Sequence, residues 1–200
     1  MGKNENAQEK DELNNSSDKD LVLQIRKGNE KYFNDLLGRY REKLFFYLRH
    51  FVGGKEEAED LLQNVFVKAY EKFSSFDQER QFSSWIYRIA HNEAVNYLKR
   101  RSQKIFLSWE DIVTAKDRLE SSSKERSAQE EWIRKEVRDD VRLALERLNE
   151  KYREILILRF YLDHSYEEIA KIIDRPTNTV GTLISRAKKR LLREMNTLVK

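Results

Sequence analysis

One side of a predicted helix carries side chains that can stack, hydrogen-bond and hold positive charge. Residues 82–101 form this helix when the sequence is read at about 100° per residue. One indole, two amides and two cations share its outward side: Trp85, Arg88, Asn92, Asn96 and Lys99. Mostly apolar residues share the opposite side: Ile86, Ala90, Ala94 and Tyr97. The outward face can stack on unpaired bases and neutralise phosphates, although a solvated helix face has the same pattern.

The distribution of charge also points to nucleic acid. The whole chain has a net charge of only +4, but this charge is unevenly spread. Residues 79–104 carry a net charge of +4 and residues 175–200 carry +6, whereas residues 108–131 carry −3. Two basic blocks separated by an acidic block indicate two surfaces that contact nucleic acid.

The composition favours an all-helical protein. The 200 residues include one proline and six glycines, and 37% of them are charged. The 39% of apolar residues suffices for two small cores rather than one large core. The absence of cysteine excludes disulfides and thiolate metal sites. No apolar run approaches the roughly 18 residues of a membrane helix or resembles a signal core, so a cytoplasmic protein without membrane contact is expected.

Hydrophobic periodicity divides the chain into two helical domains. Residues 1–19 contain too few large apolar residues to fold and are predicted to be a disordered tail. Residues 20–102 are predicted to form four helices with short connections. Residues 103–127 lose the helical period and are predicted to be a flexible linker. Residues 128–200 are predicted to form a second helical domain that ends in a helix-turn-helix.

Local signals define this helix-turn-helix. Ser165 and Glu168 form a capping box at the start of its first helix. The sequence Asp174-Arg175-Pro176 ends that helix, and Thr177 is predicted to cap the next one, which begins at Asn178. Short polar residues and then cations lie on its outward side: Asn178, Thr182, Ser185, Arg186, Lys189 and Arg193. In such a motif the first of these meet base edges and the cations meet phosphates.

The chain resembles bacterial RNA polymerase sigma factors in two stretches. Their second conserved region is similar to DLLQNVFVKAYEKF followed by FSSWIYRIAHNEAVNYLKRR, and their fourth region to YREILILRFYLDHSYEEIAKIIDRPTNTVGTLISRAKKRL. Both stretches occur in order without a large third domain, which is the layout of the extracytoplasmic-function (ECF) group of the sigma-70 family. The resemblance implies a protein that is no enzyme and needs no cofactor or metal. It implies binding to core RNA polymerase, recognition of the minus-thirty-five and minus-ten promoter elements, and assistance in DNA melting.

The resemblance also assigns roles to matching positions. The minus-ten element would be read by Phe76, Trp85, Arg88, Asn92, Asn96, Lys99 and Arg100, with a flipped base held by the loop 74–81. The minus-thirty-five element would be read by Ser165, Thr177, Asn178, Thr179, Thr182, Ser185, Arg186 and Lys189. Gly181 and Leu183 stand where the family often has Lys and Arg, and the turn at 174–176 lacks the usual glycine.

Contacts with other proteins follow from the same resemblance. Asp60, Leu62, Gln63 and Phe66 match the segment that docks on the clamp helices of the largest polymerase subunit. Of these, Leu62 and Phe66 are expected to be mainly core residues, and Asp60 and Gln63 to make the contact. The flap of the second-largest subunit, promoter DNA and an inhibitory anti-sigma factor are the other partners that the family implies.

Other classes of protein fit the sequence less well. His50, His91 and His164 lie in different segments without metal-ligand spacing, and no glycine-rich phosphate loop is present, so an enzyme is not favoured. A helix-turn-helix regulator that acts without polymerase remains an alternative and would bind a palindromic site as a dimer. A helical adaptor that binds only protein would leave the basic C-terminal block without a use.

Overall fold

The computed structural model describes residues 16–52, 54–100 and 140–198. Within these ranges the chain is helical and contains no β-strand, which confirms the predicted all-α fold with two small domains. The linker predicted at 103–127 lies outside the described residues. Most of the tail predicted at 1–19 also lies outside them, but Asp18 and Lys19 already belong to the first helix. That helix starts early because Ser17 and Asp20 form a capping box at its beginning.

The first domain has four helices, as predicted. They are α1 (Asp18–Arg26), α2 (Lys31–Arg49), α3 (Lys55–Lys72) and α4 (Phe82–Arg100), with a short 3-10 turn at Phe73–Ser75 after α3. The core lies between α2, α3 and α4. Its fully buried residues include Leu36, Leu44, Leu48, Val65, Ala69, Ile86, Ala90 and Ala94. The apolar side predicted for the fourth helix therefore faces the core and fixes the direction of the opposite side.

The second domain ends in the predicted helix-turn-helix. Its described part comprises α5 (140–147), α6 (Glu150–Leu156), a π-helical continuation (Ile157–Tyr161), α7 (Tyr166–Ile173) and α8 (Thr177–Leu198). The capping box forms as predicted, since the Ser165 hydroxyl accepts from the Glu168 amide and the Glu168 carboxylate accepts from the Ser165 amide. Thr177 is not a cap as predicted but the first residue of α8. The carbonyl of Pro176 accepts from the amides of Thr179 and Val180 instead.

A left-handed residue makes the turn of this motif possible. Asp174 has a φ angle of 54°, which turns the chain sharply between α7 and α8. Aspartate tolerates this conformation better than most residues with a side chain, because its short polar group can hydrogen-bond locally. The usual glycine is therefore dispensable at this position.

The two domains are in contact. Helix α7 packs against α4, and the buried residues of both domains form one continuous cluster. The sequence predicts two units joined by a linker. It does not reveal this contact, because residues that meet here are up to 107 positions apart. The contact includes polar as well as apolar residues, and it lies beside α4.

Candidate nucleic-acid interface

Helix α4 presents most of its predicted binding face to solvent. Asn92, Asn96, Lys99 and Arg100 are exposed, and Arg88 is half-buried. Lys99 and Arg100 lie in the last helical turn, where cations interact favourably with the negative end of the helix dipole. The fold thus aligns amides and cations along one side of a helix whose other side is anchored in the core.

Aromatic rings form a cluster at the beginning of this face. The Trp85 ring is half-buried, with its centroid 4.9 Å from that of Phe76 and 5.4 Å from that of Phe82. Phe76 itself is only 3% exposed. The structure therefore places Phe76 beneath the loop instead of on its surface, because burial of the ring against three other aromatic residues is more favourable than exposure. Trp85 presents only part of its ring.

An arginine from α1 holds the start of the adjacent loop. The Nη2 atom of Arg26 donates to the carbonyl oxygen of Phe76 at 2.6 Å and to that of Phe73 at 3.3 Å. Its guanidinium carbon also lies 5.7 Å from the centroid of the Phe73 ring. The loop residues 77–81 that follow are all exposed. Sequence reasoning missed Arg26, because no local pattern links it to carbonyl groups about 50 positions away.

The outward face of α8 is accessible along its length. The exposed residues are Thr177, Asn178, Thr179, Thr182, Ser185, Arg186, Lys189 and Arg193. Two of the predicted contact residues already make internal hydrogen bonds. The Thr182 hydroxyl donates to the Asn178 carbonyl at 3.0 Å, and the half-buried Ser165 hydroxyl is used in the capping box. The side chains of Asn178, Thr179 and Ser185 are exposed and take no part in these two bonds.

The structure separates the cations of α8 into two groups. Lys188 lies 4.8 Å from the centroid of the Phe160 ring, and Arg190 lies 4.8 Å from that of Tyr152. These two cations cover aromatic rings of their own domain. Arg186, Lys189 and Arg193 are exposed on the face that carries the short polar residues. Only the second group is suitably placed to neutralise phosphates of a duplex lying on that face.

Helix α3 carries a separate exposed stripe. Asp60 and Gln63 are exposed, Leu62 is buried, and Phe66 is partly buried against the core. Two residues that sequence reasoning missed extend the exposed side: Val67 is 56% exposed and Tyr70 is 59% exposed. Positions 60, 63, 67 and 70 follow the helical period and share one side. The sequence contains this spacing, but Val is commonly buried and Tyr is often partly buried, so the residue types alone do not predict a surface stripe.

Contact between the domains covers part of the α4 face. The Nη2 atom of Arg88 lies 3.1 Å from the Oδ1 atom of Asp174, at the end of α7. The side chain of Arg88 is 43% exposed and that of Asp174 is 79% exposed, so this ion pair contributes only about 0–1 kcal/mol. Arg88 is therefore engaged weakly, while Asn92 and Asn96 remain exposed.

Other kinds of site are not found in the part of the chain that the structure describes. No group of three or more His, Asp or Glu residues there could hold a metal ion. None of the helices in the described ranges is both long enough and apolar enough to cross a membrane.

Two paired helical domains with these surfaces define a DNA-reading protein, and comparison with known proteins identifies its family. Residues 36–104 match the family described as Sigma-70 region 2, and residues 138–191 match Sigma-70, region 4. The chain is 35% identical over 187 residues to the ECF RNA polymerase sigma-E factor of Escherichia coli (strain K12), an alignment that covers 92% of this chain and 97% of that protein. It is 28% identical over 182 residues to the ECF RNA polymerase sigma factor SigW of Bacillus subtilis (strain 168), covering 90% and 97%.

A solved structure shares the fold. The sigma factor RpoE of Bartonella quintana, in complex with the anti-sigma factor NepR, superposes with a TM-score of 0.60 at 24% identity. The alignment covers 83% of this chain and 98% of that one. The chain belongs to the ECF group of the sigma-70 family. It is a sigma factor, and its function is promoter recognition for transcription initiation.

Proposed function

We propose that this sigma factor holds the unpaired minus-ten strand on α4 and the adjacent loop, while α8 grips the minus-thirty-five duplex. The observation that carries this proposal is the exposed line of Asn92, Asn96 and Lys99, which begins beside the aromatic cluster around Trp85. The exposed polar and cationic side of α8 supports the second half of the proposal. The protein performs no bond chemistry and acts in the cytoplasm with core polymerase.

The two surfaces differ because their DNA substrates differ. Opening a duplex costs about 1.4 kcal/mol per stacked step on average. Stacking on an aromatic side chain returns about 1–3 kcal/mol per unpaired base, and phosphate contacts add to this. The first domain therefore combines aromatic rings with amides and cations. The second domain binds intact duplex and needs only a helix that enters the major groove.

A flipped base is best accommodated by the exposed loop residues 77–81, with the buried Phe76 as their support. Because Arg26 holds the carbonyl groups at the start of this loop, we expect Arg26→Ala to slow promoter opening by roughly 3- to 10-fold, as losing one or two hydrogen bonds implies. Opening is measured by permanganate reactivity of minus-ten thymines. Arg26→Lys, which retains a cation, should recover part of the rate.

The neighbouring exposed cation Lys27 provides a control. Lys27→Ala should open promoters at the wild-type rate, and both variants should bind core polymerase normally. If Arg26→Ala opened promoters as fast as the wild type, the proposed support of the loop would be refuted.

Core polymerase is proposed to dock on the α3 stripe of Asp60, Gln63, Val67 and Tyr70. We expect Tyr70→Ala to weaken core binding by at least about 10-fold, because a tyrosine that is a hot spot of an interface contributes about 2 kcal/mol or more. We expect Val67→Glu to weaken it similarly, because it would bury an unpaired charge in the interface. Fluorescence anisotropy with purified core polymerase measures this affinity. Leu23→Ala removes another exposed apolar side chain, on α1, and should leave the affinity unchanged.

Leu62 and Phe66 should behave differently from the stripe. Their substitution by alanine should lower the melting temperature, since both pack in or against the core. Equal core affinity of Val67→Glu and the wild type would argue against docking on α3.

An anti-sigma factor is a further proposed partner. The related fold of Bartonella quintana RpoE was solved in complex with the anti-sigma factor NepR. Membership of the ECF group supports a partner of the same class here, and the flap of the second-largest polymerase subunit is the proposed partner of the second domain. Co-purification of the full chain with its cellular partners tests both assignments.

Run-off transcription tests the proposed function as a whole. Purified core polymerase should produce defined transcripts from a genomic promoter library only when this chain is added. Size-exclusion chromatography with and without core polymerase separates the remaining alternatives. A dimer that binds palindromic DNA without polymerase, or a chain that supports no transcript, would overturn the proposal.

A further inference from the structure

All three histidines of the chain lie where the two domains meet. His91 is on α4 and His50 follows α2, so both belong to the first domain, while His164 precedes α7 in the second. The sequence places them in unrelated segments. The fold brings each of them to charged or aromatic groups of the opposite domain. We propose that these histidines and Glu154 form a proton-sensitive latch that holds the second domain against α4 and releases it in acid.

Glu154 is the centre of the latch. This glutamate of α6 is 8% exposed, and its Oε1 atom accepts a hydrogen bond from the Tyr47 hydroxyl of α2 at 2.7 Å. The same oxygen lies 2.7 Å from the Nδ1 atom of His91 on α4. Burial and the negative charge of Glu154 raise the pKa of Tyr47 well above its usual value, so the hydroxyl remains a donor. A buried carboxylate of one domain is thus satisfied by donors of the other.

His50 and His164 are buried without a comparable partner. His50 is 1% exposed, and neither of its ring nitrogens has a hydrogen-bond partner among the described residues. Burial and the positive charge of Arg153 across the contact hold the pKa of His50 well below its ordinary value. The His164 ring lies edge-on to Tyr87, with centroids 4.7 Å apart.

Several charged groups face His164, and their effects partly cancel. Burial lowers the pKa of His164, the Glu168 carboxylate at 3.8 Å raises it, and Lys43 of the first domain lowers it further. Asp163 beside it has a smaller raising effect, and the net shift is downward. Contact between the domains therefore favours the neutral forms of His50 and His164.

The direction of the pH effect follows from these positions. Separation of the domains hydrates His50 and His164 and returns their pKa values towards about 6.5, so the separated form binds more protons. Contact between the domains is therefore favoured above about pH 6.5 and is lost progressively as the pH falls below that value. For each extra proton that the separated form binds, the equilibrium constant between the closed and separated forms changes by up to about 10-fold per pH unit.

The latch covers only the part of the α4 face around Arg88, since Asn92 and Asn96 are exposed while it is closed. While it is closed, Arg88 stays beside Asp174, and α7 stays packed on α4. Opening and closing of the latch is a property of the protein without polymerase. Only its effect on DNA binding rests on the function proposed for α4. A measurement of domain separation therefore tests the latch even if α4 does not bind DNA.

Energy transfer between two dyes on the full chain measures this separation. The chain has no cysteine, so Asn34→Cys on α2 and Asn196→Cys on α8 provide specific labelling sites at exposed positions. We expect transfer efficiency to fall as the pH is lowered from about 8 to about 5.5, around the ordinary histidine pKa. Helical circular dichroism should stay constant over the same range. Transfer that does not change with pH, or that falls only together with helical signal, would overturn the latch.

Two test variants and one control variant separate the roles of the latch residues. Glu154→Gln should reduce closure at every pH, whereas Glu167→Gln, at an exposed position of α7, should behave as the wild type. Combined His50→Gln and His164→Gln should flatten the pH response. An unchanged pH response in this double variant would also contradict the proposal, provided that its helical signal matches that of the wild type.

Discussion

Replacing Arg88 or Asn92 by alanine is expected to reduce promoter opening by about 10- to 100-fold, because one contact to a base edge or phosphate typically contributes 1–3 kcal/mol. Affinity for core polymerase should stay within about twofold, since neither residue lies on the α3 stripe. Opening is followed by permanganate reactivity of the minus-ten region, and core affinity by fluorescence anisotropy. The two readings together distinguish a DNA-binding residue from one that merely stabilises the domain.

Matched substitutions on α2 control for general effects. Asn34→Ala and Arg41→Ala remove an exposed amide and an exposed cation from the same domain, and both variants should open promoters normally. Asp174→Asn controls for the ion pair of Arg88 with the second domain, because asparagine removes the charge and also tolerates the left-handed conformation. If that pair were the cause of the defect, Asp174→Asn would show the same loss as Arg88→Ala. We expect instead that it opens promoters at least as well as the wild type, and parallel loss of opening and core binding would refute the assignment.

The second large effect is expected on α8. Arg186→Ala and Lys189→Ala should each weaken binding of holoenzyme to the minus-thirty-five duplex by roughly 5- to 10-fold at moderate salt. Each should also reduce the steepness of the salt dependence by about one unit, because one fewer counterion is released from the DNA. Titration of fluorescent duplex at several salt concentrations provides both quantities.

Two cations of the same helix are the matched controls for this prediction. Lys188→Ala and Arg190→Ala remove the same charge, but these side chains lie over Phe160 and Tyr152 within the domain. They should leave the salt dependence unchanged. Equal loss of slope for all four variants would mean that the overall charge of α8, and not a defined DNA-binding face, determines affinity.

Features set by neighbouring residues could be predicted from the sequence. The separation of Ile86, Ala90 and Ala94 from Asn92 and Asn96 follows from helical periodicity, and the structure buries the first group and exposes the second. The capping box of Ser165 and Glu168 is likewise a local pattern, which formed as expected. Such features depend only on residues within one or two helical turns of each other.

Features set by distant residues could not be predicted. Burial of Phe76 depends on rings from α4, and the position of its carbonyl depends on Arg26 of α1. Glu154 looks like any charged residue of an amphipathic helix until the fold brings Tyr47 and His91 to it. In each case the decisive contact joins parts of the chain whose spacing carries no periodic signal, so only the tertiary structure reveals it.

Photocrosslinking from two defined positions tests the central claim most directly. A benzophenone amino acid would replace Trp85 in one sample and Ser185 in another, and each would be assembled with core polymerase on a promoter fragment. We predict that position 85 crosslinks to the minus-ten strand only in the open complex, whereas position 185 crosslinks to the minus-thirty-five duplex before and after opening. Crosslinks from position 85 that are equally strong on closed duplex, or that reach only protein, would contradict the account.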